Sequence, residues 1–206
     1  MLALGGALVW TSVVSSWLVV DLEGALEWRH GYLESPYRFV TILGADRQSV
    51  RVPEEVPDDR ARAAVGARLR AALTDSIFAR ARYRLHGDDW GVVGHTVELE
   101  GSAQLARGWI ASVGGRLLVQ RGASFYRGSY ATLPELPLYR TRDRELAPGF
   151  AAAAGVGLEG LLAELPEGFR LVARARGELL YHRFFDTPLL PERVGVVAGL
   201  TLSAER

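Results

Sequence analysis

The 206-residue chain contains no cysteine and no lysine. Without cysteine there is no disulfide framework, no thiolate metal site and no cysteine nucleophile, and that absence fits an oxidising compartment. Without lysine, all fixed positive charge rests on arginine, whose planar fork engages carboxylates bidentately and suits inward-facing ion-pair networks; GC-rich coding would give the same usage. A net charge is also missing: 24 basic residues balance 24 acidic ones and the pI is about 6.9. That balance gives no electrostatic case for binding nucleic acid or an anionic membrane surface. The mean hydropathy of +0.07 is too low for a helical membrane protein, but it suits a β-barrel, in which half of each strand faces a polar lumen.

What the chain does have is alternation. In Arg170 to Tyr181 the odd positions are small or apolar and most even positions are ionisable or long. Ile77 to His86 sets Ile77, Ala79, Ala81, Tyr83 and Leu85 against Arg80, Arg82, Arg84 and His86, and Val97 to Leu105 sets its apolar row against Glu98, Glu100, Ser102 and Gln104. A period of two places successive side chains on opposite faces of a strand. A soluble sandwich alternates as well, so strand length, aromatic girdles and loop asymmetry must separate the two cases.

Met1 to Val20 carries no charge, which reads either as a signal or membrane segment or as a hairpin. The lack of a basic leader, the β-branched residues and Ser15-Ser16 favour a hairpin joining residues 2–14 to 17–32. The second arm continues with Asp21, Glu23, Glu27 and Arg29 on one face and Leu22, Leu26, Trp28 and Tyr32 on the other. The remaining strands are expected over 64–73, 77–86, 95–105, 109–121, 149–162, 169–184 and 193–203. The hairpin makes nine strands, with at least one more expected upstream; a signal segment would leave eight.

Short connections at 74–76, 106–108 and 166–168 alternate with long ones at 34–59, 87–94, 122–148 and 186–192. Bacterial barrels place short turns in the periplasm and long loops outside. Trp17 and Trp109 fall at the short-turn ends, and Trp28, Tyr32, Tyr83, Tyr181 and Phe184 toward the long loops, as girdles at headgroup level would. The expected fold is therefore all-β: an antiparallel, up-and-down transmembrane β-barrel, with about 8–10 strands in this chain, in a single domain over 1–206.

The polar row is the chemically informative part. Arg68, Arg70, Arg80, Arg82, Arg84, Glu98, Glu100, Arg116, Glu159, Arg174, Arg176 and Glu178 are expected to line the lumen. Cross-strand pairs of opposite charge would fill a narrow lumen, whereas adjacent arginines would line an anion-selective passage. In the long loops stand Asp88, Asp89, Trp90, His95, Phe125, Tyr126, Asp143 and Arg144. The three aspartates could hold calcium together with Glu145, although the spacing is not that of an EF-hand and turn-forming or ion-paired roles explain them as well. The aromatics would meet external receptors or pack the loops over the barrel mouth. A Ser-His pair drawn from His86, His95, His182 and Ser124 would suit a rim hydrolase or acyltransferase, though none of them sits in a recognisable motif. The paired glycines lack the lysine and helix start of a phosphate-binding loop and read as strand bends.

The loop-flanking words Gly31-Tyr32-Leu33-Glu34-Ser35-Pro36-Tyr37-Arg38, Asp88-Asp89-Trp90-Gly91 followed by His95-Thr96, Ser124-Phe125-Tyr126 and Asp143-Arg144-Glu145-Leu146 resemble, in this order, a family of uncharacterised Gram-negative outer-membrane barrel proteins known only as a domain of unknown function. The resemblance runs from about Gly5 to the last strand and corresponds to the C-terminal portion of the family pattern. Leu85-His86-Gly87 stands where the family usually has an aromatic pair, and the chain ends Ser203-Ala204-Glu205-Arg206 without a terminal aromatic. The resemblance implies an outer-membrane location, contact with lipid and lipopolysaccharide, and insertion by the barrel assembly machinery, but no activity. The reading is thus a structural or porin-like barrel with no cofactor, no metal and no nucleic-acid partner. A rim enzyme acting on lipid or lipopolysaccharide and a soluble lipocalin-like barrel are the alternatives.

Overall fold

The computed structural model describes residues 1–43, 49–105, 108–131, 137–164, 169–187 and 190–205. Nine strands form one antiparallel sheet: β1 (Leu2–Ser15), β2 (Leu18–His30), β5 (Asp59–Ala72), β6 (Ile77–Asp88), β7 (Val93–Gln104), β8 (Trp109–Arg121), β10 (Gly149–Glu164), β11 (Arg170–Phe184) and β12 (Glu192–Glu205), each paired with the next in that order. The intervening β3 (Phe39–Leu43), β4 (Ser49–Pro53) and β9 (Tyr130–Ala131) make a separate three-stranded sheet inside the two longest loops. No helix is long and apolar enough to cross a membrane among the described residues, which says nothing of strands. This is the all-β, up-and-down antiparallel fold that the alternation predicts, with β1 and β12 as the terminal strands of the ladder.

The first twenty residues belong to the first hairpin, with Leu2 opposite His30 and Val13 opposite Val19 across β1 and β2. Strands of 12 to 16 residues exceed the 9–11 that a tilted transmembrane strand requires. The largest difference from the expected boundaries lies at the loop end. β5 starts at Asp59 rather than Ala64, because Arg60 and Arg62 continue the polar row and meet Asp88 and Glu27. The expected long connection over 87–94 is a tight turn: Asp88 accepts the Val92 N–H through its side chain at 2.9 Å while its own N–H donates to the Val92 carbonyl at 3.0 Å. Gly91 supplies the left-handed φ of +93° that closes it. The small sheet β4-β3-β9 was not expected. The short turns at 106–108 and 166–168 fall wholly or largely outside the described residues.

The pairing fixes two faces. Thr11, Asp21, Arg68, Arg82, Glu98, Arg116 and Ala153 lie on one continuous register line, and the neighbouring positions on every strand point the other way. Polar-row side chains from β6, β7, β8, β10 and β11 bound a common cavity of about 640 Å³, so the polar row is on the concave side. The convex row is apolar and open to the surroundings: Leu8 is 75% exposed, Val196 76% and Leu200 75%. Through the middle of the sheet that row carries no charged residue, and Asp59, Arg121, Arg183 and Glu192 occur on it only at the loop end. A soluble ligand-binding barrel has the opposite polarity, with an apolar interior and a wetted exterior.

The buried apolar core is not inside the sheet. Val56, Trp90, Val92, Ala123, Tyr126, Leu146 and Ala147 form it in the loops, with Leu33, Phe125 and Phe184 packed against it. Phe184 therefore serves this cluster rather than an outward girdle, since its position opposite Gly149 continues the concave row. Trp28 and Tyr83 are exposed on the convex row, as girdle residues are, whereas Tyr32, beyond the end of β2, borders the concave side.

Candidate functional site

Two layers make up the concave side: a belt of ion pairs across the middle of the sheet, and a packed cap at the loop end.

The belt follows from the register. Arg80 lies opposite Glu100, and Arg82 opposite Glu98; the pairs measure 2.5 and 3.8 Å. Arg82 also reaches across β5 to Glu23, placing Nε and Nη2 at 3.0 and 2.7 Å from one carboxylate oxygen. Gly66 permits that crossing. A Cβ there would lie 2.6 Å from Glu23 Oε1 and 2.9 Å from the Tyr83 carbonyl oxygen. Asp21 is buried and accepts from Thr11 Oγ1 at 2.8 Å and Arg70 at 3.0 Å, with Arg68 at 3.7 Å. Farther round, Arg174 grips Glu159 at 3.0 and 3.2 Å and donates to the Ser203 hydroxyl. For the buried Asp21 and the half-buried Glu23 and Arg82, pairing offsets the cost of leaving water. Gly66→Ala is accordingly expected to cost about 1–3 kcal/mol by overpacking, with loss of the Glu23–Arg82 link, measured as a lower denaturant midpoint for the refolded protein.

Not every expected lumen residue is paired. Among the described residues, no carboxylate lies within 4.0 Å of Arg84, Arg116 or Arg176, and no cation within that distance of Glu178. Arg116 faces Glu98 across the ladder but does not close on it, and on its other side stands Ala153.

The cap is built by side chains that cross between loops. Arg140 pairs with Glu55 at 2.7 Å and donates to the Pro53 carbonyl, and Arg38 pairs with Asp143. The buried Glu54 accepts from Thr141 Oγ1 and, at 3.4 Å, from the Ser35 N–H. Tyr130 accepts the Thr141 N–H at 2.8 Å, and burial pushes its phenol above the ordinary tyrosine value, so it stays protonated at neutral pH. Gln120, on the concave row, donates to the Glu145 and Ala147 carbonyls at 2.9 and 3.0 Å and so ties the cap inward over the strand ends. Below it lies a cavity of about 830 Å³ bounded by both layers, including Arg62, Arg84, His86, Trp90 and Asp143.

The expected loop residues divide accordingly. Asp88 ends β6 on the concave side, where it pairs with Arg60, and His95 lies on the convex row of β7, 2.7 Å from the Tyr83 hydroxyl, so neither is a loop residue. Asp89 accepts the Ala61 N–H at 3.1 Å. Asp143 caps the short 3-10 turn Arg144–Leu146. Trp90 and Tyr126 are buried in the cap; Trp90 donates to the Asp59 carbonyl at 2.8 Å, stacks edge-on with Phe125 and lies under Arg60 at 4.3 Å. Asp88, Asp89 and Asp143 are thus engaged by protein donors, and no cluster able to hold a metal is found among the described residues. Nor is any serine hydroxyl hydrogen-bonded to a histidine among them. Asp21 and Glu23, on the polar row of the first hairpin but outside the expected lumen set, join it through Arg68, Arg70 and Arg82. Gln120 carried no comparable signal.

A search of curated proteins gives no match. Among solved structures the chain is similar to the outer-membrane expressed OmpT of Vibrio cholerae, at 12% identity and a TM-score of 0.54 over 98% of this chain and 53% of that one. The chain thus spans about half the length of that protein, and the likeness is one of fold. A family model described as "Protein of unknown function (DUF3570)" matches residues 4–200, and the chain belongs to that family.

Proposed function

We propose that the protein is a Gram-negative outer-membrane β-barrel whose charged concave face lines a passage for polar solutes beneath an external loop cap. The carrying observation is the polarity of the sheet: leucines and valines stand exposed around the convex side while the arginines and carboxylates converge on the concave side. Water would penalise that exposed apolar surface, whereas hydrocarbon accepts it. On this reading the long loops face outward, lipid and lipopolysaccharide surround the convex side, and the barrel assembly machinery inserts it. The open space of the two concave cavities supports passage over a filled lumen.

The test is single-channel recording of the full chain, refolded from detergent into a planar bilayer under a salt gradient. Discrete conductance steps are expected. A protein that is folded by its circular dichroism and yet silent would overturn passage and leave a structural role.

A further inference from the structure

The expectation that adjacent arginines could read anions treats Arg80, Arg82 and Arg84 alike, but the structure separates them. Arg80 and Arg82 are neutralised by Glu100, Glu23 and Glu98. Arg84, one position nearer the cap on the same row, has no carboxylate within 4.0 Å among the described residues. Its register neighbours are Gly66 and Thr96, where the next lines carry Arg68 and Glu98, or Arg70 and Glu100. Glu23 lies on Arg84's own register line, beyond Gly66, yet turns its Oε1 to Arg82 instead.

His86 follows two residues along the same face, half-buried, with no hydrogen-bond partner among the described residues. Both side chains line the 830 Å³ cavity between the belt and the cap. Most carboxylates bounding that cavity already accept from the protein: Glu27 from Arg29, Glu34 from the Val56 N–H, Asp88 from Arg60 and Val92, Asp143 from Arg38 and Glu145. The vestibule therefore holds a guanidinium fork and an imidazole that find no acceptor among the described residues, with Thr96 beside them.

Resting on the passage reading, we propose that this vestibule is a binding site for small oxyanions, with Arg84 as the residue that recognises them and His86 as a second donor. Phosphate and carboxylate groups match the arginine fork bidentately. The ion-paired arginines of the belt hold the lumen in shape, and anion selectivity resides one position above them.

The experiment is calorimetric titration of the refolded full chain with inorganic phosphate, alongside reversal potentials in bilayers. Wild type is expected to bind phosphate. Arg84→Gln should weaken binding about tenfold or more, the scale of a lost charge-assisted pair, and shift the reversal potential toward cations. The charge-neutral double variant Arg80→Gln/Glu100→Gln should bind within about twofold of wild type, since its net charge is unchanged. Arg84→Lys, which keeps the charge but not the fork, should fall between, and circular dichroism verifies folding of each. Absence of phosphate binding in wild type, equal binding by Arg84→Gln, or an equal loss in the belt double variant would each overturn the proposal. Phosphate binding lost in Arg84→Gln without conductance in wild type would support the site and overturn passage instead.

Discussion

Replacing Leu99 by arginine is expected to lower the stability of the protein in lipid vesicles by about 2–4 kcal/mol, the cost of a cation at the lipid-facing midplane of a barrel. Leu99 is 59% exposed on the convex row at the middle of β7. In water such a change at an exposed site would matter little, within about 0.5 kcal/mol. Hydrocarbon provides no hydration for the guanidinium, and snorkelling to either interface is longest from the midplane. The paired control is Thr96→Arg, three residues away on the concave row, where the added cation meets the lumen side and should cost much less. Urea titration of both variants in vesicles, followed by tryptophan fluorescence, measures the contrast. Equal costs on the two faces would remove the membrane assignment.

Trp90→Ala should cost about 3–5 kcal/mol of local stability, the range for truncating a buried tryptophan, and the loss should appear in the cap rather than in the sheet. Trp90 is 6% exposed at the centre of the loop cluster. Its removal vacates the space beside Phe125, leaves the Asp59 carbonyl without its 2.8 Å donor and strips the ring from beneath Arg60. The nine-stranded ladder has no packing against that ring through its middle, so its circular dichroism should be retained while proteases cut within the two long loops. Concerted loss of cap and sheet would show that the cap is needed for the sheet to form, contrary to the separation of the two layers seen here.

The strands were readable because alternation needs no knowledge of distant contacts. Trp109 to Arg121 matches β8 end to end, and Ile77 fixes the start of β6, since a period of two switches on and off within a few residues. Boundaries failed where tertiary partners extend a strand. Asp59 to Ala63 has a polar row that looks like loop until Asp88 and Glu27 are seen to meet it. The turn at Asp88–Val93 looked long because two acidic residues and a glycine suggest a loop, whereas the Asp88 side chain closes it in four residues. The site residues followed the same division: membership of the polar row was visible, but which members are neutralised was not. Arg82 and Arg84 stand in similar local words, Ala-Arg-Tyr and Tyr-Arg-Leu, which differ only in their flanking non-ionic neighbours, and it is Gly66, Glu23 and Thr96 on other strands that set them apart.

Residue order alone determined the fold class, the two faces and the position of most turns, because each follows from side-chain alternation and local backbone preference within a segment. Only the tertiary structure decided that the apolar core lies in the loops, that the cap is tied over the strand ends by Gln120, and that Arg84 has no carboxylate within reach among the described residues. Those outcomes depend on contacts between residues tens of positions apart, whose register is set by the pairing of whole strands and whose charges are settled by which side chains that pairing brings within reach.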